Sequence, residues 1–263
     1  MEQQRETRRD TVSVLGVAID RLDMSGAVAK IAAFVDSGRQ AIAAGSSPEL
    51  AHVVTANSEI IMAAKDHPDF AEILVRAALV VPDGIGPVWA ARIFGDRLPE
   101  RVAGIDLMGE VLAVCAERGW RPFFLGAEPG VAEEAAAAIK ERYPGLEMAG
   151  SHHGYFTEAE TAAVLEKIAA SHADLLLVAM GAPRQEYWIA EHRDELGVPV
   201  AVGVGGSLDV WAGRSPRAPR WMREVGLEWA YRLVRQPSRV WRMRALPRFA
   251  LAVLGDKFRS SGG

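Results

Sequence analysis

The feature that most constrains this 263-residue chain is an alternation of two apolar periods. Short runs dense in valine, isoleucine, leucine and phenylalanine recur at residues 12–19, 52–55, 79–81, 122–125, 175–180 and 198–204. Between them, residues 130–143, 158–171 and 184–196 repeat their apolar positions at helical spacing. Short apolar, β-branched runs bounded by turn residues read as buried strands, and the 3.6-residue period reads as helix. Strands that lack polar alternation need cover on both faces, which helices supply. The expectation is an α/β fold: a Rossmann-like, mostly parallel sheet flanked by helices and joined by right-handed crossovers. Residues 146–151 are a further short strand candidate.

At 49% hydrophobic and 24% charged, the chain has ordinary globular composition. Its length suits one large α/β domain, or one domain with a smaller appendage, and it can bury a core without disulfides. The lone cysteine, Cys115, sits in an apolar helix-like run, which suggests a packing residue in a reducing compartment. Residues 1–10 are charged and lack the apolar segment of a signal peptide, and no apolar run is long enough to cross a bilayer. The expectation is a cytoplasmic protein, or one peripheral on the inner face of the cell membrane.

The formal net charge of −4 hides a division. From residue 214 onward, eleven arginines and one lysine oppose Glu224, Glu228 and Asp256, a formal +9 that leaves −13 for residues 1–213. The chain therefore divides into a core, 1–213, and a basic helical C-terminal appendage, 214–263, that meets something anionic. Trp221, Val225, Trp229 and Leu233 recur every four residues as a helical stripe accompanied by Arg217, Arg220, Arg223, Arg232 and Arg235, and Pro237 should end that helix. A second segment carries Arg239 and Arg242 among apolar residues, with Pro247 bending or breaking it. One reading is a helix packed on the core. Another is an interfacial element, with aromatics at the headgroup level and arginines on anionic lipid. Nucleic acid is disfavoured by the acidic body.

Polar and glycine-rich residues cluster just after the strands. Thr55 and Asn57 follow the second run, Asp83 the third, "GAEPG" from Gly126 the fourth, "GAPRQEYW" the fifth and "GVGGSLD" the last. Ligands of open α/β sheets bind beyond the carboxyl ends of strands, so these residues should converge on one crevice. Each also has a plainer role. Asn57 suits a helix cap as well as a sugar hydroxyl. Gly126 could simply turn the chain or help its amides hold a phosphate. Tyr155 could stack on a base or half-bury itself in packing. Gly205 and Gly206 would let a ligand approach the backbone, and Asp209 could hold a ribose or cap the short helix into Trp211. "GVGGSLD" is not a dinucleotide fingerprint, because its third glycine is misplaced and it follows the last strand. His152 and His153 are adjacent, should point apart, and have no further ligand at metal spacing. Arg101 precedes a helix expected from about Ala103, the wrong end for the dipole, which favours anion binding. Asp83, at a strand end, reads as a turn-former or a working carboxylate; Pro87 suits the first helical position, which makes Gly86 the cap and leaves the aspartate upstream, where a simple capping role fits poorly.

The motifs "VVTANSEI", "VVPDGIG", "ERVAGIDL", "FFLGAEPGV", "HHGYF", "GAPRQEYW", "GVGGSLDVWAG" and "RAPRWMREVGLEWAYRL" stand in one order from about Val12 to Leu246. In that order the chain resembles the WecG/TagA/CpsF family of bacterial glycosyltransferases. The resemblance implies inverting, metal-independent transfer of a sugar from a UDP donor to a polyprenyl-diphosphate-linked, GlcNAc-type acceptor. The sugar would be N-acetylmannosamine, its uronic acid or glucose, in cell-wall or extracellular polysaccharide synthesis. It further implies Asp83 as general base and Thr55 and Asn57 in the sugar pocket, with Arg101 and Gln185 as catalytic support. Tyr155, Gly126, Gly205, Gly206 and Asp209 would hold the UDP, and the basic appendage would dock to membrane. Leu208 stands where the family usually has phenylalanine, a packing change that removes no polar group. No cofactor and no nucleic-acid partner is expected, and the oligomeric state, a homo-oligomer included, stays open. The alternative is a nicotinamide-dependent oxidoreductase, which lacks its first-strand glycine signature.

Overall fold

The structure, a computed structural model, describes residues 9–224, 226–235 and 244–261. It opens with an antiparallel hairpin, β1 (Thr11–Val14) and β2 (Val17–Asp20). The sequence suggested one strand over 12–19; Leu15 and Gly16, both at positive φ, turn the chain between two strands instead. The buried Asp20 carboxylate takes the Arg9 guanidinium and the Val80 N–H (2.7 Å), tying the hairpin to the fourth strand.

After α1 (Met24–Ala43) come β3 (Ala51–Ala56), α2 (Ser58–Asp66), α3 (Pro68–Arg76), β4 (Leu79–Pro82) and α4 (Ile85–Ile93). The chain continues through α5 (Gly104–Arg118), β5 (Pro122–Gly126), α6 (Val131–Arg142) and β6 (Gly150–His152). Then follow α7 (Glu158–Ala170), β7 (Leu175–Ala179), α8 (Arg184–Glu191), β8 (Val200–Gly203) and α9 (Ser207–Trp211). The main sheet runs β4-β3-β8-β7-β5-β6, every pair parallel. All residues of β3, β4, β5, β7 and β8 are buried, which is why those strands read as apolar runs, broken only by His52 and Thr55 in β3. One face packs on α1, α5, α6 and α9 through residues such as Val35, Leu112 and Ile139. The other is covered by the hairpin with α2–α4 on the β3–β4 side, and by α7 and α8 on the β5–β7 side.

The appendage forms α10 (Arg220–Glu224), α11 (Glu228–Arg235) and α12 (Ala245–Ser261). The four-residue stripe suggested one continuous helix from Trp221 to Leu233; Gly226, at φ +77°, separates α10 from α11. Pro247 falls in the first turn of α12, where a missing N–H breaks no helical bond, so it neither bends nor breaks the helix. Phe249 and Val253 bury themselves beside α2 and α4, so α12 is packed onto the core. No helix of the described residues is long and apolar enough to cross a membrane.

Candidate active site

Because the six strands are parallel, their carboxyl ends share one rim. A cavity of about 230 Å3 opens there, beyond β3, β4 and β8. Thr55, Asn57, Asp83, Arg101, Gln185, Gly205 and Gly206 all line it, as the strand-end pattern suggested. The appendage closes it from outside with Gly226, Glu228, Trp229, Ala245 and Leu246.

Asp83 is the first residue beyond β4, half-buried, its N–H donated to the Ala56 carbonyl (2.8 Å). The helix after it starts earlier than Pro87 suggested: Gly84, not Gly86, is the cap, and α4 begins at Ile85. Gly84 holds φ +86°, a conformation that glycine adopts without steric cost. The chain thus turns immediately after the carboxylate, and Pro87 becomes the third helical residue, still without a helical acceptor to lose.

The Val102 N–H donates to the Pro82 carbonyl (2.8 Å), lashing the loop that carries Arg101 beside the end of β4. Arg101 Nη1 reaches Glu228 Oε2, the first residue of α11, at 3.2 Å. The cavity's arginine is therefore in contact with a carboxylate of the appendage. Glu228 also sits where a helix N-terminus favours negative charge.

Other predicted residues have their polar atoms engaged in building the rim. Asn57 caps α2, its Oδ1 accepting from the N–H groups of Glu59 (2.9 Å) and Ile60 (3.0 Å). Thr55 Oγ1 donates to the Gly203 carbonyl (2.9 Å), linking β3 to β8 beneath the cavity. Gln185 is buried; its Oε1 accepts from Gly181 N–H (3.2 Å) and Gly205 N–H (3.0 Å), and its Nε2 donates to Glu186 Oε1 (2.7 Å).

Glu186 went unremarked in the sequence, where it looks like an ordinary acid in the first turn of a helix. It is 0% exposed, and its Oε2 meets no hydrogen-bond partner among the described residues. Burial pushes its carboxyl up to about 7 despite the bond from Gln185, and the nearby Glu59 charge adds to the rise. Its spacing three residues before the buried Ile189 was the available signal.

Three residues expected at the nucleotide lie outside this cavity. Gly126 ends β5, on the other half of the sheet, and a Cβ there would come within 2.4 Å of the Ala179 backbone; close strand packing accounts for the glycine. Tyr155 is 66% exposed on the loop after β6, and Arg184 Nη2 donates to the Gly154 carbonyl beside it (3.1 Å). Asp209 lies in the first turn of α9, whose cap is Gly206, so it does not cap that helix. The His152 and His153 rings, expected to point apart, lie 4.5 Å centroid to centroid because the chain bends after β6. Among the described residues no cluster of three metal-ligating side chains forms.

Of the basic appendage residues, Arg217 sends Nη2 to both Asp106 oxygens (2.6 and 2.5 Å). Arg220 and Arg235 are exposed, Arg235 lying over the Tyr231 ring, and Arg223 has a buried Nε with no partner among the described residues. Arg239 and Arg242 lie outside the described residues, as does the side chain of Arg232.

Similarity to known proteins gives this arrangement its class: the chain is a glycosyltransferase. It belongs to the family described as Glycosyl transferase WecG/TagA/CpsF, whose model matches residues 12–263. An N-acetylglucosaminyldiphosphoundecaprenol N-acetyl-beta-D-mannosaminyltransferase of Bacillus spizizenii is 40% identical over 204 residues, 78% of this chain and 79% of its own. A protein of the same name from Staphylococcus aureus strain MW2 is 35% identical over 254 residues, 96% of each chain. Another from Bacillus subtilis strain 168 is 37% identical over 205 residues, again 78% and 79%.

Proposed function

We propose that this glycosyltransferase moves an N-acetylmannosamine-type sugar from a UDP donor to a polyprenyl-diphosphate-linked GlcNAc acceptor, with inversion and without a metal. The observation that carries the reading is the meeting of Asp83 and Arg101 in one cavity at the carboxyl rim. The names of the relatives support the sugar and the lipid-linked acceptor, and with them a part in cell-wall polysaccharide synthesis of the teichoic acid type.

In this reading an acceptor hydroxyl oxygen attacks the anomeric carbon while Asp83 takes its proton. The bond from that carbon to the diphosphate oxygen breaks, and UDP leaves with the electron pair. Arg101 and the N–H groups at the start of α4, which carries no side-chain cap, face the charge that develops there, a task otherwise given to a metal. Glu228 yields Arg101 to the arriving diphosphate, so substrate entry is linked to α11. Exposed Trp221 and Trp229, with Arg220 and Arg235, support reversible attachment of the appendage to anionic lipid at the inner membrane face.

The decisive experiment offers a panel of UDP-sugars with a lipid-diphosphate GlcNAc acceptor, read by mass spectrometry in buffer with and without EDTA. Mass gain with UDP-N-acetylmannosamine, unchanged by EDTA, is the expected result. Failure with every UDP-sugar would overturn the donor assignment, and loss in EDTA the metal-free mechanism.

A further inference from the structure

The floor of the cavity between β7 and β8 is fastened by one side-chain pair. The last backbone link there is the Val204 N–H to the Val178 carbonyl (2.9 Å). Beyond it the two chains separate into the turns at Gly181 and Gly205, both of which line the cavity. Gln185 Oε1 accepts from both glycine N–H groups, at 3.2 and 3.0 Å. A carboxamide can do so in only one of its two flip states, because the flipped amide would set NH2 against two donors.

Glu186 selects that state. Its Oε1 accepts from Gln185 Nε2 at 2.7 Å, and a carboxyl keeps an acceptor there whether ionised or singly protonated. The pair packs directly against Gly203, where any side chain would displace it: a Cβ there would stand 2.5 Å from Gln185 Nε2 and 2.7 Å from Glu186 Oε1. Keeping a fully buried carboxyl with one unpartnered oxygen opposes stability, so packing alone does not explain it.

We infer that Glu186 is a positioning residue, locking the Gln185 carboxamide in the flip that holds the Gly181 and Gly205 turns together as the cavity floor. Gln185 thereby acts through the backbone of the two turns, and its own polar atoms are occupied. The substrate part of the inference rests on the proposed function; the clip itself does not.

The test uses Glu186→Met, which fills the volume without the carboxylate acceptor, with Gln185→Met as the full-loss reference. Amide hydrogen exchange at Gly181 and Gly205 should quicken about tenfold or more in Glu186→Met, matching Gln185→Met, while β3 and β5 amides stay as in the wild type. The donor KM should rise about tenfold with a smaller change in kcat, since loosened turns weaken binding before chemistry. Glu186→Gln should recover most of the KM loss and show intermediate exchange, because its own amide competes over which way to point. Wild-type exchange at both glycines in Glu186→Met overturns the clip, and altered exchange with unchanged KM and kcat overturns its positioning role. Should Glu186→Met fail to fold, Glu186→Leu, which also lacks the acceptor, decides: quickened exchange at both glycines supports the clip and wild-type exchange overturns it. The exchange measurement needs no substrate, so a failed UDP-sugar screen with the expected exchange would sink the donor assignment alone.

Discussion

At the amino end of the sheet, Asp174 sits just before β7 and accepts from Arg39 Nη1 (2.7 Å) and the Arg121 N–H (2.8 Å). At the carboxyl end, Asp83 follows β4, half-buried on the wall of a cavity that also holds Arg101. Both are aspartates at strand ends, both within reach of an element that carries arginine. Asp174 joins α1, the start of β5 and the start of β7, and does not line the cavity at the carboxyl rim. Asp83 is held to β3 through its backbone N–H and lines the cavity. Under the proposed mechanism the difference separates a structural strand-end acid from a chemical one: what matters is whether its surroundings close over it or leave room for a substrate.

The largest expected break in that comparison is Asp83→Asn. The amide keeps the shape and loses the proton acceptor, so kcat should fall by roughly 10²–10⁴ while UDP affinity and the thermal midpoint hold. A fully active variant would remove Asp83 from the chemistry and leave it a turn residue. Arg101→Ala should follow, lowering kcat by roughly 10²–10³ through loss of charge opposite the leaving diphosphate. If UDP binding and turnover both survive it, Arg101 serves only to hold Glu228.

Asp174→Ala should do the reverse. It leaves the half-buried Arg121 N–H unpaired and frees Arg39, at a cost of about 1–2 kcal/mol in urea unfolding. Turnover per folded molecule should not change. A catalytic defect at equal folded concentration would show that the two ends of the sheet are coupled.

The core of the fold could be read because its strands are buried on both faces and are mostly apolar, His52 and Thr55 of β3 being the polar exceptions. The exceptions have physical causes. The hairpin hid inside one apolar run because its turn is only Leu15-Gly16, and β6 is three half-buried residues, "GSH". Five of the proposed catalytic residues converge because parallel strands end on one rim, a rule that needs no coordinates. The rule does not say which strands adjoin, so Tyr155 and Gly126, on the β5–β6 side, were assigned to a crevice they do not line. Glu186 and Glu228 were missed for another reason. An acid in the first turn of a helix is the usual complement to the helix dipole, and only tertiary packing reveals that these two face the cavity's own residues.

The smallest expected effects concern one buried titratable group at each end, Glu186 and His52. His52, near the start of β3, has a buried Nε2 without a partner among the described residues. Burial, helped by the Arg193 charge, lowers its imidazolium to about 4 from 6.5. Its contribution to stability is present above 6.5 and is lost as pH falls through 4, because the unfolded chain then binds the extra proton. Glu186 has the opposite sign. Raised from 4.5 to about 7, its contribution is full below 4.5 and is lost as pH rises through 7. Between pH 4.5 and 6.5 the two slopes oppose each other, each on the order of 1 kcal/mol per pH unit. Glu186→Gln removes the falling limb, so its stability relative to wild type should climb with pH across that window. His52→Asn removes the rising limb, so its relative stability should fall over the same range. Urea unfolding at pH 5, 6 and 7 reads both, and curves parallel to wild type for either variant would mean that the group titrates alike in folded and unfolded chains.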